Sequence, residues 1–226
     1  RVLSSSLLLF DIDGTLVRRT GPYHRQALVD AIRQITGRET TTEGIPVHGM
    51  LDPDILTLML QAAGFDLARI QTVLPAIFAA AEDAYLSSVP DLSDKFCPGV
   101  PPLLAELQTR HVPLALVTGN LTRIGWRKLE RAGLHRYFRF GAFGEMAPTR
   151  GGLARLAIER ARREGLIGPR TRITLIGDAP QDVRAAQENG IQSVAVRTGI
   201  TPAGDLEACL PDHLIDDLTQ FNLSII

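Results

Sequence analysis

Two aspartates, Asp11 and Asp13, follow an apolar run and precede a glycine and a threonine in LLLFDIDGTLV, Leu7 to Val17. Carboxylates packed this closely repel each other, so the pair needs a cation, a shared proton or solvent. A carboxylate also serves as a nucleophile, or as a proton donor and acceptor. Two other segments end in the same manner. Thr118-Gly119-Asn120 follows LALV, and Gly177-Asp178 follows ITLI, with a further acid at Asp182. Taken singly, an aspartate ending a strand is more often a cap or turn former, and a threonine before glycine is usually only a loop residue. The three together suggest a site.

The elements that must position these groups follow from periodicity. Short apolar runs bounded by turn residues predict buried strands at Leu7–Phe10, Val112–Val117, Phe138–Glu145, Thr171–Asp178 and Gln192–Gly199. Helical spacing marks Leu103–Leu107, a stretch through Lys128 to Ala132 ending at Gly133, Leu153–Arg163 and Val183–Glu188. The stretch Leu214–Phe221 reads as one more short edge element. Strands alternating with helices imply right-handed crossovers and a parallel sheet with helices on both faces, a Rossmann-like three-layer α/β/α core. All three polar segments then lie at the carboxyl edge of that sheet, where open α/β sheets bind their ligands.

Between the first strand and this alternation, residues 18–95 carry helical patterns and no strand signal. One helix spans Tyr23 to Ile35 with Gly37 as its stop. A second opens with Asp52 as N-cap and Pro53 at the first position. A third covers Asp66 to about Ser88, where Pro75 should break or kink it. The chain therefore divides into a core, 1–17 and 96–226, and an inserted all-helical cap, 18–95.

The totals narrow the class of function. At 226 residues and 45% hydrophobic content the chain can bury a substantial core. A net charge of −1 with dispersed charges suggests no nucleic-acid partner. No apolar stretch approaches the roughly 20 residues that span a bilayer, and no signal peptide is apparent. Cys97 and Cys209 stand apart in no ligand-like spacing, which suits a reducing cytoplasm. Lys95 and Lys128 are the only lysines beside 22 arginines.

FDIDGTLV, LVTGN, a basic residue in the following helix, and GDAPQD resemble, in this order, the four motifs of haloacid dehalogenase-like hydrolases. The resemblance covers the core, and the inserted helices are similar to the family's C1-type cap. It implies Asp11 as the nucleophile on phosphorus and Asp13 as the general acid and then base. It also implies Mg²⁺ held by the Asp11 carboxylate, the Asp13 backbone carbonyl and the Asp178 carboxylate, an oxygen set suited to that ion. Thr118, Gly119 and Asn120 would bind the phosphoryl group. Asp182 would support the site through metal-bound water or by holding a lysine.

The chain departs from the family's commonest pattern at that lysine. Ala147-Pro148-Thr149-Arg150 stands where many members carry Lys-Pro. Lys128, on the helix after the threonine motif, is the expected substitute, with Arg150 in reserve; Lys128 also reads as a solvated surface lysine. Ala179 occupies a position that is often serine or threonine.

Asp13 argues for phosphoryl transfer, because the family's dehalogenases generally lack that second aspartate. The expected activity is a Mg²⁺-dependent phosphatase acting on a small phosphorylated metabolite, as a monomer or homodimer. A phosphomutase, a phosphonatase and a catalytically silent ligand-binding relative are the alternatives. Arg18, Arg19, His24, His48, Gly49 and Met50 are the candidates for substrate contact from the cap. HGMLDPDI, His48 to Ile55, resembles the cap loop of phosphoglycolate phosphatase-like members, with Leu51 where these often carry threonine.

Overall fold

The computed structural model describes residues 3–226. Six strands form one parallel sheet: β1 (Ser4–Phe10), β2 (Leu114–Val117), β3 (Phe140–Ala142), β4 (Ile167–Gly177), β5 (Gln192–Val196) and β6 (His213–Ile215). Their spatial order is β3-β2-β1-β4-β5-β6. The chain winds outward from β1 to β3, then returns past β1 and winds the other way. The reversal falls between β1 and β4, and the crevice above it is where sheets of this type bind ligands.

Side chains alternate across β1 because successive residues of a strand face opposite sides. Leu8 and Phe10 join Leu114, Leu116 and Ile176 on one face, whereas Leu7 and Leu9 join Ala115, Val117 and Leu175 on the other. Helices α4 (Val100–Thr109) and α5 (Thr122–Ala132) cover the first face. Helices α6 (Arg150–Arg163) and α7 (Pro180–Glu188) cover the second. Both faces are thus buried, as an all-parallel sheet requires.

Residues 18–95 hold α1 (Tyr23–Thr36), α2 (Asp52–Ala62) and α3 (Leu67–Ser88) and no strand. Leu28, Ile55, Leu60 and Ile77 of these helices are continuous with the apolar cluster on the first sheet face. The two chain connections to this helical segment run antiparallel. Val17 bridges Phe96, the Arg18 amide donates to the Lys95 carbonyl at 2.9 Å, and the Cys97 amide donates to the Leu16 carbonyl at 3.0 Å.

Four details differ from the sequence expectation. Helix α3 runs through Pro75 without a break; Ile70, Ile77, Ala81 and Tyr85 bury its opposite face, and Pro75 itself is exposed, so packing outweighs the missing hydrogen bond. Leu51, not Asp52, is the N-cap of α2, because the Asp52 carboxylate is engaged elsewhere. Strand β3 keeps only three residues, and the chain then turns into a 3₁₀ segment, Gly144–Met146. A short helix, α8 (Ala203–Ala208), precedes β6.

Candidate active site

The ends of β1 and β4 bring Asp11 and Asp178 together, and the first turn of α7 adds Asp182. One carboxylate oxygen from each lies within 4.8 Å of the others, and all three residues are buried. Such proximity requires that nothing bulky separate the two strand ends. Gly14 meets that condition: its φ is +81°, and a Cβ there would stand 2.3 Å from Asp178 Oδ2. Only glycine takes that backbone angle at no steric cost while leaving the space empty.

Burial dominates the titration of this cluster. It pushes the Asp11 carboxyl up, reinforced by Asp13 and opposed by Arg150. It pushes Asp178 well up, with Asp11 and Asp182 adding to the effect. Asp182 rises to about 7 for the same reason, against the pull of Arg150. Asp178 Oδ2 and Asp182 Oδ1 are buried and make no hydrogen bond. A buried cluster of carboxylates that offers only oxygen ligands fits a hard divalent cation.

Arg150 already neutralises part of this charge. Its Nη1 lies 3.2 Å from Asp11 Oδ1 and 3.1 Å from Asp182 Oδ1, and its Nη2 donates to the Gly49 carbonyl at 3.3 Å. Asp182 therefore faces an arginine rather than holding a lysine, which corrects one of the two expectations for it. Its other oxygen accepts from the Ala179 amide at 3.1 Å.

Asp13 stands in a separate set of contacts. Lys128 Nζ reaches both of its oxygens, at 2.8 and 2.7 Å, and Asn120 Nδ2 donates to Oδ2 at 2.8 Å. Lys128 is 1% exposed, while the Asp13 side chain is 43% exposed and open to the cavity. Lys128 is thus no surface lysine. Burial acts to raise the Asp13 carboxyl, but the Lys128 ammonium and the hydrogen bonds from Lys128 and Asn120 overcome it and hold it down at about 2. Lys128 Nζ also lies 2.9 Å from His24 Nδ1, and His24 Nε2 lies 2.9 Å from Asp52 Oδ2. An ammonium only donates, so Nδ1 accepts; Nε2 then carries the proton and donates to Asp52. The chain Asp52–His24–Lys128–Asp13 thereby links the helical segment to the tip of β1.

Thr118 is buried at the end of β2, and its Oγ1 accepts from the Asn120 amide at 3.1 Å and from Asn120 Nδ2 at 2.9 Å. The Gly119 carbonyl accepts from the Asp52 amide at 2.8 Å. A Cβ on Gly119 would fall 2.3 Å from the Met50 carbonyl oxygen, so the segment from Val47 to Asp52 rests directly on the threonine loop. His48 in this segment approaches Thr201 Oγ1 at 2.6 Å and Asp178 Oδ2 at 3.5 Å. Burial holds its imidazole below the ordinary histidine value.

A cavity of about 600 Å³ opens above the aspartates. Asp11, Asp13, Gly119, Asn120, Lys128, Arg150 and Asp178 line its floor, and Arg19, His24 and Gly49 its sides. Every expected site residue except Thr118 and Asp182 lines it; those two are buried immediately behind. Asp52 was not among the expected site residues, since its role depends on a partner 69 positions away. Arg150 carried a signal: an arginine in the first turn of a helix is disfavoured by the helix dipole, so it needs acids close by.

A family model described as haloacid dehalogenase-like hydrolase matches residues 6–190. A phosphoglycolate phosphatase of Caulobacter vibrioides is 29% identical over 232 residues, covering 99% of this chain and 93% of that protein. A glyceraldehyde 3-phosphate phosphatase of Methanopyrus kandleri is 28% identical, covering 92% of each. Among solved structures, a β-phosphoglucomutase from Clostridium difficile shares the fold with a TM-score of 0.70 at 18% identity, over 98% of this chain and 95% of that one.

Proposed function

The chain belongs to the haloacid dehalogenase-like hydrolase family, and on that premise we propose that it is a metal-dependent phosphatase of small phosphorylated metabolites. The observation that carries this reading is the division of labour between the two aspartates of the first motif. Asp11 lies in the acidic cluster beside Arg150, whereas Asp13 is open to the cavity and tied to Lys128 and Asn120.

Asp11 is the nucleophile. One of its oxygens attacks phosphorus as the bond to the ester oxygen breaks, and the departing alkoxide takes a proton from Asp13. Water then attacks the phosphorus of the acyl-phosphate, passing its proton to Asp13 and restoring the Asp11 carboxylate. Asp13 rests in the base form, as its pKa of about 2 implies. A phosphate dianion entering beside it is a like charge, which raises that value and supports protonation for the first half-reaction. Thr118, Gly119 and Asn120 supply hydrogen-bonding groups for the phosphoryl oxygens, and Lys128 holds the acid in place.

Asp11, Asp178 and the Asp13 backbone carbonyl would hold Mg²⁺, with Asp182 in support. The ion supplies Lewis-acid neutralisation of the phosphoryl charge. The Caulobacter relative supports a phosphoglycolate-type substrate for this chain. The free thiols Cys97 and Cys209 support a reducing, cytoplasmic setting. Among the described residues no helix is long and apolar enough to cross a membrane.

Release of inorganic phosphate from p-nitrophenyl phosphate and from phosphoglycolate, with and without Mg²⁺, tests the reading. Wild type is expected to turn over only with divalent metal, and Asp11→Asn to fall to background. Acid-quenched protein from labelled substrate should carry an alkali-labile phosphate on Asp11. Wild type that releases no phosphate from any ester with any divalent metal would sink it.

A further inference from the structure

We infer that the mouth of the cavity is a subsite for a second anionic group on the substrate, read by the guanidinium groups of Arg18, Arg19 and Arg25. The inference rests on the phosphatase reading above and deepens it. The substrate class becomes a phosphate ester or anhydride whose far end carries a carboxylate or another phosphate.

Three observations converge on this mouth. Arg18, Arg19 and Arg25 all line the cavity whose floor holds Asp11 and Asp178. Among the described residues none of them pairs with a carboxylate, and none donates a side-chain hydrogen bond. Arg197 lines the same cavity and shows the contrast, being neutralised by Glu207 at 3.0 Å and Asp216 at 2.8 Å. Arg18, Arg19 and Arg25 share one concavity with the reacting groups.

The second observation concerns the cations at the floor. Lys128 is committed to Asp13 and His24, and Arg150 to Asp11, Asp182 and the Gly49 carbonyl. Neither has charge to spare for a group at the far end of a substrate. An anionic ester must also approach a floor of buried carboxylates, and a cationic mouth gives it a favourable field on the way in.

Third, Arg19 adopts φ +55° although it is not glycine. A non-glycine residue in the left-handed region is strained, and such strain persists where the surroundings or the function select the side chain. Glycine would relieve the backbone but remove the guanidinium. Half-buried Arg18, exposed Arg19 and exposed Arg25 of α1 thus bracket the turn that enters the helical segment. Guanidinium forks suit both carboxylate and phosphate, so the two anions share this chemistry and the assay separates them.

The test compares 2-hydroxyethyl phosphate, which is neutral at its far end, with phosphoglycolate and with pyrophosphate, in Mg²⁺ and at two ionic strengths. Wild type is expected to favour one or both of the doubly anionic compounds in kcat/KM by about tenfold to a hundredfold, the range of one or two charge-assisted contacts. The preferred compound identifies the far-end group. The preference should shrink at high salt, since the mouth is exposed. In Arg19→Gly and in the double variant Arg18→Gln/Arg25→Gln it should fall at least fivefold, through KM. Arg19→Gly should keep its Tm, because glycine accepts the backbone angle, so lost preference is not lost folding.

Equal use of charged and neutral esters by wild type, or an unchanged ratio in both variants, would overturn the subsite. Calorimetric binding of phosphoglycolate and of inorganic phosphate separates this failure from failure of the phosphatase reading. If wild type hydrolyses nothing yet binds phosphoglycolate more tightly than phosphate in an Arg19-dependent manner, the subsite stands and the hydrolysis reading falls. If neither turnover nor such a binding difference is found, both fall.

Discussion

Lys128 and Arg150 divide the work of cations in this site according to their chemistry. An ammonium is a compact charge with three donors, and Lys128 spends them on the two Asp13 oxygens and His24 Nδ1. A planar guanidinium reaches in several directions at once, and Arg150 spans Asp11, Asp182 and Gly49. Replacing Lys128 with methionine should therefore release His24 Nδ1 and, above all, Asp13. Its carboxyl loses the largest influence holding it down and titrates above about 2, and the acid limb of the pH–rate profile moves up with it. General acid–base contributions are on the order of 10²–10⁴, and kcat for Lys128→Met should fall by about that range. Carboxyl NMR titration and a pH–rate series check both effects; an unmoved acid limb with unchanged kcat would remove Lys128 from the chemistry. Lys128 was legible because one lysine on the right helix stands out among arginines. The full reach of Arg150 was not, since sequence spacing places it at a helix start and says nothing about three partners on other elements.

Helix α5, which carries Lys128, has an N-terminus that its own N-cap side chain does not satisfy. Its first amides are instead capped from other elements: Leu121 by Asp52, Thr122 by Glu145 and Arg123 by Glu82. Two of those acids belong to the helical segment, α2 and α3, so that segment and α5 depend on each other. This is why the predicted cap of α2 failed: Asp52 begins the helix but turns its carboxylate toward α5 and His24. Periodicity revealed the helices themselves, including α3 on either side of Pro75, because that signal is local. Capping across elements leaves no local trace. Asp52→Ala would leave the buried Leu121 amide and His24 Nε2 without their acceptor, each such loss costing about 1–3 kcal/mol. The variant should therefore show a lowered denaturant midpoint, faster amide exchange at Leu121 and a reduced kcat through His24 and Lys128. Unchanged exchange at Leu121 would mean that Asp52 does not anchor α5.

At the scale of the whole molecule, the winding order of the sheet explains why three acids separated by up to 171 positions meet at one point. The strand tips were legible because an apolar run ending in an acid marks both the strand and its carboxyl end. The energetic consequence becomes visible only once the tips are assembled. A carboxyl whose folded-state pKa is raised keeps its proton longer when folded than when unfolded. Folding then loses free energy as pH rises from the ordinary carboxyl range toward the raised value. For Asp182 that window runs from the ordinary carboxyl value of 3.8 to about 7, and Asp11 and Asp178 act in the same direction. Metal-free protein is accordingly expected to have a higher Tm at pH 5 than at pH 8 on account of this cluster. A divalent cation binds the ionised form, so Mg²⁺ should raise Tm more at pH 8 than at pH 5, in proportion to RT ln(1 + [L]/Kd). Asp178→Asn removes one of the charges that repel in the metal-free state. It should flatten the pH dependence in EDTA and abolish most of the Mg²⁺ shift. Thermal melts of both proteins in EDTA and in Mg²⁺ across pH 5–8 decide the matter: an equal Mg²⁺ shift in wild type and Asp178→Asn would place the cation somewhere other than the ends of β1 and β4.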